Sequence, residues 1–173
     1  MPKSKVKRRS TLVGSCQCGK VHFSVESETP VPFMFCFCSI CRKTGGTGFG
    51  CNIMGIRETL KVTGKGSLRV HRARMREPRK RTVISKAERW FCVVCGSHLY
   101  LTDDRWPKGI WPNVSAIDTP LPEPKHITWI MTRFKPSWFP SWMVEKGTAH
   151  THYPDVSIAA WHEQEGWPVS VRP

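Results

Sequence analysis

The cysteines are the residues of this chain whose types and spacing most clearly indicate chemistry. Seven of the eight cysteines fall in CxC, CxCxxC and CxxC groups, at Cys16, Cys18, Cys36, Cys38, Cys41, Cys92 and Cys95. Thiolates at such short spacings converge on one point and are typical zinc ligands, whereas disulfide frameworks belong to small secreted proteins. The sequence therefore predicts zinc binding, with two Zn²⁺ ions per chain.

The first and last cysteine pairs predict a structural zinc site. In the segment CVVCG, from Cys92 to Gly96, two residues between the cysteines let both sulfurs face one metal, and the glycine tolerates a left-handed turn. In the segment CQC, Cys16 and Cys18 point to the same face because residues i and i+2 do so in an extended chain. Together with Cys95, these residues would supply four thiolates and leave no position for a substrate, so the site is expected to hold strands together.

The middle group predicts a different kind of site. Cys36, Cys38 and Cys41 supply three sulfurs within six residues but no fourth. Three protein ligands and one free position are the pattern of a catalytic zinc. Cys51 is open to two interpretations: a small buried apolar residue, or a fourth ligand that would close the site and make it structural.

Strands and turns, rather than long helices, are expected to position these cysteines. Val21, Phe23 and Val25 alternate with polar residues, which predicts a half-buried strand after the first pair. The middle group follows an apolar segment, which we expect to be a strand breaking into a loop, and residues 52–75 predict short strands separated by glycines. From residue 106 the closely spaced prolines predict extended segments and turns wrapped on the core, with tryptophans as buried anchors. Residues 155–167 are the best candidate for a short helix.

Composition limits the class of protein. The chain has 173 residues, of which 39% are apolar, enough for one domain with a core, and no stretch is long enough for a transmembrane helix. The beginning lacks the apolar segment of a secretory signal, so we expect the cytoplasm, or the nucleus given the basic start. We expect a disordered basic arm at 1–10, a zinc domain at 11–138 and a C-terminal extension at 139–173 packed on that domain.

Four segments together resemble the glutathione-dependent formaldehyde-activating family, also called the centromere protein V-like family. They are GSCQCGKVHF, CFCSICRKTGG, ERWFCVVCGSHLYL and SAIDTPLP, and the resemblance spans roughly residues 12–138 and looks like the branch abundant in fungi. It implies a mainly β fold of the Mss4-like, or β-tent, type, with short antiparallel sheets stapled by zinc. It also implies carbon–sulfur lyase activity on glutathione adducts, a structural zinc at Cys16, Cys18, Cys92 and Cys95, and a catalytic zinc at Cys36, Cys38 and Cys41.

The sequence departs from that family at two positions. Trp90 and Trp111 stand where relatives in this branch often carry histidine. If these positions face the pocket, the substrate would be bulkier or less polar than formaldehyde. We therefore expect a zinc-dependent lyase or synthase acting on an adduct of glutathione, or of a related thiol, with an aldehyde or another electrophilic metabolite.

Basic residues are expected to bind the carboxylates of glutathione, the co-substrate that the resemblance implies. Arg42 and Lys43 follow the three-cysteine group, and Arg72 and Arg74 lie on a strand that could reach it, although solvated surface charge is the alternative for each. For proton transfer the sequence offers three candidates and selects none of them as the catalytic base: His71, His98 and Asp118.

Two other functions stay open at this stage. The net charge of +14 and the seven Lys and Arg residues from Arg69 to Arg81 suit a zinc-stapled module that binds nucleic acid or chromatin. Such a module has no need of an open three-cysteine zinc, and no recognition helix is visible. A family member with an empty second site would instead have a structural or redox role. Exposed tryptophans could form the face of a homodimer.

Overall fold

The computed structural model describes residues 9–75, 81–124 and 127–165. Within them strands dominate and the helices are short. The helices are α1 (Ser39–Gly45), α2 (Ser141–Glu145) and α3 (Ile158–Glu165). The strands are β1 (Ser10–Ser15), β2 (His22–Ser27), β3 (Thr29–Cys36), β4 (Gly50–Ile56), β5 (Lys61–Thr63), β6 (Leu68–Met75), β7 (Val83–Cys92), β8 (His98–Asp103), β9 (Gly109–Pro112), β10 (Ile127–Ile130) and β11 (Thr148–Ala149).

The smaller sheet contains three antiparallel strands in the order β1-β2-β5. In β2, Phe23 and Val25 are buried while His22 is exposed, so the predicted alternation is confirmed. The turn between β1 and β2 carries the first cysteine pair. This sheet therefore brings Cys16 and Cys18 to one of its ends.

The larger sheet contains eight strands in the order β11-β10-β3-β4-β9-β8-β7-β6. Its pairs are antiparallel, except that β10 runs parallel to both β3 and β11. The short strands expected in residues 52–75 are confirmed as the end of β4, then β5 and β6. The expected mainly β fold of small antiparallel sheets is likewise confirmed.

Two apolar clusters hold these layers. The main core packs β1 and β2 against the larger sheet, with Leu12, Val25, Ile53 and Ile110 fully or almost fully buried. A second, aromatic cluster joins Phe37, Trp129 and Phe139, and the Phe37 and Trp129 rings stack with centroids 5.1 Å apart. Because Phe37 lies between Cys36 and Cys38, this second cluster fixes the backbone of the three-cysteine group.

The local structure after β3 differs from the expectation. Instead of a loop, the chain forms α1, which begins directly after Cys38 and ends at Gly46 with a left-handed φ of 77°. The Cys41 N–H donates to Cys38 Sγ over 3.3 Å, and the Gly46 N–H donates to the Arg42 carbonyl. A sulfur acceptor here caps the helix in the way that a serine oxygen would, so a short helix of seven residues forms where the sequence predicted a loop.

The segment after residue 106 confirms some expectations and corrects others. Trp129 is buried at 2% exposure, as expected of an anchor, but Trp106, Trp138 and Trp142 are more than half exposed, so the expectation was wrong for these three. The predicted helix within residues 155–167 is confirmed as α3, and α2 adds a turn that follows Pro140. Residues 1–8 of the expected arm lie outside the described residues, and the domain boundaries stay predictions. No helix in the described parts of the chain is long and apolar enough to cross a membrane.

Candidate metal centres and functional site

Four sulfurs converge where turns from the two sheets meet. The β1–β2 turn and the end of β7 with its following turn each supply two cysteines, and the Cys16–Cys18 and Cys18–Cys92 Sγ distances are 3.6 and 3.8 Å. We call this set the four-cysteine cluster; its sulfurs all lie within 4.8 Å of one another, and its members are Cys16, Cys18, Cys92 and Cys95. Four soft sulfur ligands fit a tetrahedral structural zinc.

Tight backbone turns surround this cluster. Gly19 and Gly96 take left-handed φ values of 71° and 77°, and their N–H groups donate to the Cys16 and Cys92 carbonyls. The Val21 N–H donates to Cys16 Sγ over 3.2 Å. Ser97 Oγ, 3.2 Å from Cys95 Sγ, also accepts from the backbone of the opposite turn. Hydrogen bonds from the Ser97 side chain and backbone lower the pKa of Cys95 to about 5, which favours the thiolate that a metal needs.

Three further sulfurs lie at the junction of β3 and α1. Cys36 ends β3, Cys38 caps α1 and Cys41 lies in its first turn, and their sulfurs lie within 4.8 Å of one another. We call this set the three-cysteine cluster. Among the described residues, no fourth His, Cys, Asp or Glu joins it. Three soft sulfur donors fit a zinc ion that has room for one more ligand.

The thiols of the three-cysteine cluster compete for ionisation. Hydrogen bonds from the Cys36 and Cys41 thiols lower the pKa of Cys38, and the interaction with Cys38 in turn raises the pKa of Cys36. One thiolate therefore suppresses the ionisation of its neighbours, whereas a divalent cation among them would release further protons. A cationic side chain already lies beside the cluster, because Arg89 Nη2 is 3.8 Å from Cys41 Sγ.

Cys51 lies outside this cluster. It pairs with Phe35 on β3, one residue before Cys36, so its side chain projects to the opposite face of the sheet from Cys36. It packs in the main core at 8% exposure, and burial raises the pKa of its thiol to about 12. A buried thiol that resists ionisation suits the apolar interpretation of this residue.

Two residues near the three-cysteine cluster were missed by the sequence analysis. Arg89 is 6% exposed on β7, where it continues the alternation of buried Ser85 and Ala87, and this period of two is the signal that could have revealed it. Tyr153 follows a segment that bonds beside β10, through the Met131 N–H to the His152 carbonyl. Its phenol is partly desolvated, although most of the residue is exposed. This desolvation and the charges of the three thiols raise the pKa of Tyr153 to about 12.

The predicted basic residues are placed in two groups. Arg42 and Lys43 lie in α1, one and two residues beyond Cys41; Lys43 is exposed, and Arg42 Nε is buried without a hydrogen-bond partner among the described residues. On β6, exposed Arg72 forms an ion pair with Glu88, and Arg74 is exposed.

The register of β6 and β7 separates Arg72 from the three-cysteine cluster. Glu88 is the cross-strand partner of Arg72, whereas Arg89 is the partner of the adjacent His71, so the Arg72 side chain projects to the face opposite Arg89. Arg74 pairs with Ile84, farther along β7 from Arg89, so of the predicted basic residues only the α1 pair shares an element with a cysteine of the cluster. Nucleic-acid binding by the basic strand and a homodimer both stay predictions.

The two unusual tryptophans lie on different faces of the sheet. Trp90 donates from Nε1 to Thr102 over 3.0 Å, stacks on Tyr100 and packs on the main core. Trp111 is the cross-strand neighbour of Leu101, which pairs with Arg89, so Trp111 shares the face of Arg89. Of the two tryptophans, only Trp111 lies on the face of the larger sheet that carries Arg89, the arginine beside Cys41.

Two of the three candidates for proton transfer lie beside Arg89, and the third lies elsewhere. Exposed His71 pairs with Arg89 in the sheet. His98 begins β8, and its burial, followed by the charge of Arg89, lowers its pKa to about 4. Asp118 is exposed, and its backbone N–H donates to Val13 of the smaller sheet. The two histidines, but not Asp118, are thus grouped around Arg89.

Known proteins match most of this chain. The family model "Glutathione-dependent formaldehyde-activating enzyme" matches residues 11–132, which include both cysteine clusters. A protein of Halomonas elongata, named as a glutathione-dependent formaldehyde-activating enzyme, is 42% identical over 156 residues, or 90% of this chain and 96% of the relative. A crystal structure of a Rhodobacter sphaeroides protein shares the fold, with a TM-score of 0.52 and 24% identity, over 68% of this chain and 98% of that one.

The family match, the extensive identity to the Halomonas protein and the placement of the cysteines agree with one another. The chain therefore belongs to the glutathione-dependent formaldehyde-activating family.

Proposed function

We propose that this protein is a zinc-dependent carbon–sulfur lyase or synthase. Its substrate is an adduct of glutathione, or of a related thiol, with an aldehyde or another electrophilic metabolite. The observation that carries the proposal is the three-cysteine cluster, which has no fourth ligand among the described residues of a chain that belongs to this family. The name of the Halomonas relative supports the part played by glutathione.

Each cysteine cluster would hold one zinc ion, in a structural role for the four-cysteine cluster and a catalytic role for the three-cysteine cluster. A zinc held there would offer a soft position to the thiol of the substrate and would lower the pKa of that thiol. Since three thiolates outnumber the two positive charges of zinc by one, Arg89 beside Cys41 offsets the excess negative charge.

In the synthetic direction the thiol loses its proton and its sulfur bonds to the carbonyl carbon. The C=O π bond breaks at the same time, and the oxygen takes up a proton to become a hydroxyl. In the lytic direction the hydroxyl loses its proton, the C=O bond forms again, and the sulfur leaves as a thiolate that is reprotonated. Desolvation by burial, followed by the charges of the three thiols, raises the pKa of Tyr153 to about 12, so it keeps its proton at neutral pH and is a candidate donor to the carbonyl oxygen.

The position of Trp111 affects which size and polarity of substrate we expect. It shares the face of Arg89, whereas Trp90 is turned toward the core. The prediction of a bulkier or less polar substrate than formaldehyde therefore depends on Trp111 alone. A large apolar ring near the reacting carbon would favour an aldehyde with an apolar substituent.

The proposal is tested by exchange NMR on glutathione, its adduct and a series of aldehydes from formaldehyde to benzaldehyde. We expect the wild-type protein to accelerate exchange between the adduct and the free aldehyde for at least one aldehyde. Cys38→Ser should abolish the acceleration, and Cys51→Ala, the matched control, should keep it. Equal rates for wild type and folded Cys38→Ser across the series would reject the proposal.

A further inference from the structure

A cavity of about 240 Å³ lies between the two cysteine clusters. One wall comes from α1, three residues beyond Cys41, and another from the turn directly after Cys95. The strands β6, β7 and β8 complete it. Its lining residues are Thr44, His71, Arg89, Phe91, Gly96 and His98.

Arg89 gives this cavity a buried positive charge. The residue is 6% exposed, Nη2 interacts with Cys41 Sγ, and Nη1 is buried without a hydrogen-bond partner among the described residues. A buried guanidinium nitrogen without a partner is costly, and a carboxylate is the acceptor whose geometry fits it best. The cavity is therefore suited to an anionic group.

His98 adds a second, different polar atom. Its Nε2 is buried and has no partner among the described residues. A hydrogen bond to the backbone of Tyr100 favours the protonated ring, and because Nε2 has no partner among the described residues, we assign this bond to an Nδ1–H donor. In the neutral ring Nε2 is then an acceptor, which can take a hydrogen bond from an N–H group of a ligand.

The size of the cavity matches one end of a ligand. Pockets that enclose a whole small molecule measure about 300–1,000 Å³, so 240 Å³ holds a head group rather than a tripeptide. Phe91 supplies an apolar wall, and exposed His71 lies at the open side. A cation, a neutral acceptor and an apolar wall together match an α-amino acid head group, whose carboxylate and ammonium lie side by side.

We infer that this cavity binds the α-amino acid end of the thiol substrate, with its carboxylate on Arg89 and its ammonium on His98. The inference rests on the proposed function, because it assumes that the sulfur of the same molecule reaches the three-cysteine cluster. In glutathione this end is the γ-glutamyl group, which carries both a carboxylate and an ammonium, whereas the glycine end carries a carboxylate alone. Arg89 would then contact both the cluster, through Cys41, and the substrate.

Binding of S-methylglutathione to the zinc-loaded protein, measured by calorimetry, tests the inference independently of catalysis, because the blocked sulfur presents no thiolate. We expect N-acetylation of its γ-glutamyl ammonium to weaken binding about tenfold or more, and esterification of its glycine carboxylate to have less than about a twofold effect. The opposite ranking, or equal effects, would overturn the inference.

Variants of the cavity residues test whether the loss of affinity on N-acetylation arises in this cavity. Arg89→Met and His98→Leu should weaken binding of S-methylglutathione and reduce the penalty for N-acetylation, whereas Arg57→Met and His22→Ala, the matched controls away from the cavity lining, should not. If the Arg89 variant does not fold, amide NMR of the wild type tests the binding site instead. Changes in the amide chemical shifts of Thr44 and Gly96 on adding S-methylglutathione would support binding in the cavity. Changes confined to other residues would contradict it. Failure of aldehyde exchange with intact binding would reject the proposed function alone.

Discussion

The two cysteine clusters use the same ligand atom but are built in opposite ways. The four-cysteine cluster joins turns that belong to different sheets, with 74 positions between Cys18 and Cys92. The three-cysteine cluster lies within six residues at the end of one strand and the start of one helix. A site built from distant segments is absent in the unfolded chain, so metal bound there stabilises the whole fold. A site within one short segment links few distant residues and can be altered at little cost to the fold.

The surroundings of the two clusters also differ, because one cluster is complete and the other leaves room for a further ligand. The four-cysteine cluster is surrounded by two tight turns, and its sulfurs contact the Val21 N–H and Ser97 Oγ. The three-cysteine cluster has Arg89 on one side and interacts with Tyr153, and it has no fourth ligand among the described residues. Loss of a ligand should therefore affect the fold at the first cluster and the chemistry at the second.

Replacing Cys92 by serine should have the largest effect. Cys92 is fully buried, and structural zinc sites have apparent binding free energies of about 10–16 kcal/mol, similar to the total stability of a domain, about 5–15 kcal/mol. We expect Cys92→Ser to lose its cooperative thermal transition, as followed by circular dichroism. A wild-type melting curve for this variant would show that the four-cysteine cluster does not hold the sheets together.

Replacing Cys38 by serine should separate activity from stability. Serine is a good helix N-cap, so α1 should keep its start and the melting temperature should change by only a few degrees. Changes near metal ligands typically cost about 10–100-fold, so loss of a ligand should lower the exchange rate at least about 100-fold. If stability fell together with activity, the contrast between the clusters would be lost.

Acid should reveal a contribution from His98, which lies between the clusters. Because its folded pKa is about 4 rather than 6.5, the neutral ring stabilises the fold fully above pH 6.5, and this stability is lost as the pH falls toward 4. The expected loss is up to about 3 kcal/mol. His98→Gln, which does not titrate, should lose less between pH 6.5 and 4 in denaturant melts. Identical acid profiles would instead assign the loss to protonation of the thiolates.

Replacing Cys51 by alanine should have the smallest effect. It removes one buried sulfur from the core and should cost about 1 kcal/mol in the free energy of unfolding. The zinc content and the exchange rate should be unchanged. Loss of one zinc ion from this variant would revive the alternative in which Cys51 closes the three-cysteine cluster.

The ligand sets were predictable from the sequence because their geometry is local. A CxxC turn or a CxC extended segment fixes the direction of its sulfurs within a few residues, and Phe23 and Val25 revealed their strand for the same reason. The start of α1 was missed because the cap at Cys38 is a sulfur rather than the usual oxygen.

The residues around the three-cysteine cluster were harder to predict because long-range pairing places them. Tyr153 arrives through a segment bonded beside β10, and no local pattern marks it. The faces of Trp90 and Trp111 depend on strand register, including the irregularity in the β7–β8 pairing after Trp90. A single sequence does not encode such registers in any short motif.

The zinc content per chain, measured by native mass spectrometry with and without glutathione, shows whether the three-cysteine cluster holds a metal that binds the thiol. We predict two zinc ions in the wild type, a glutathione adduct that depends on the second ion, and one zinc ion with no adduct in folded Cys38→Ser. One zinc ion in the wild type, unchanged by Cys38→Ser, would rule out a catalytic zinc at the three-cysteine cluster, because it would leave the four-cysteine cluster as the single metal site.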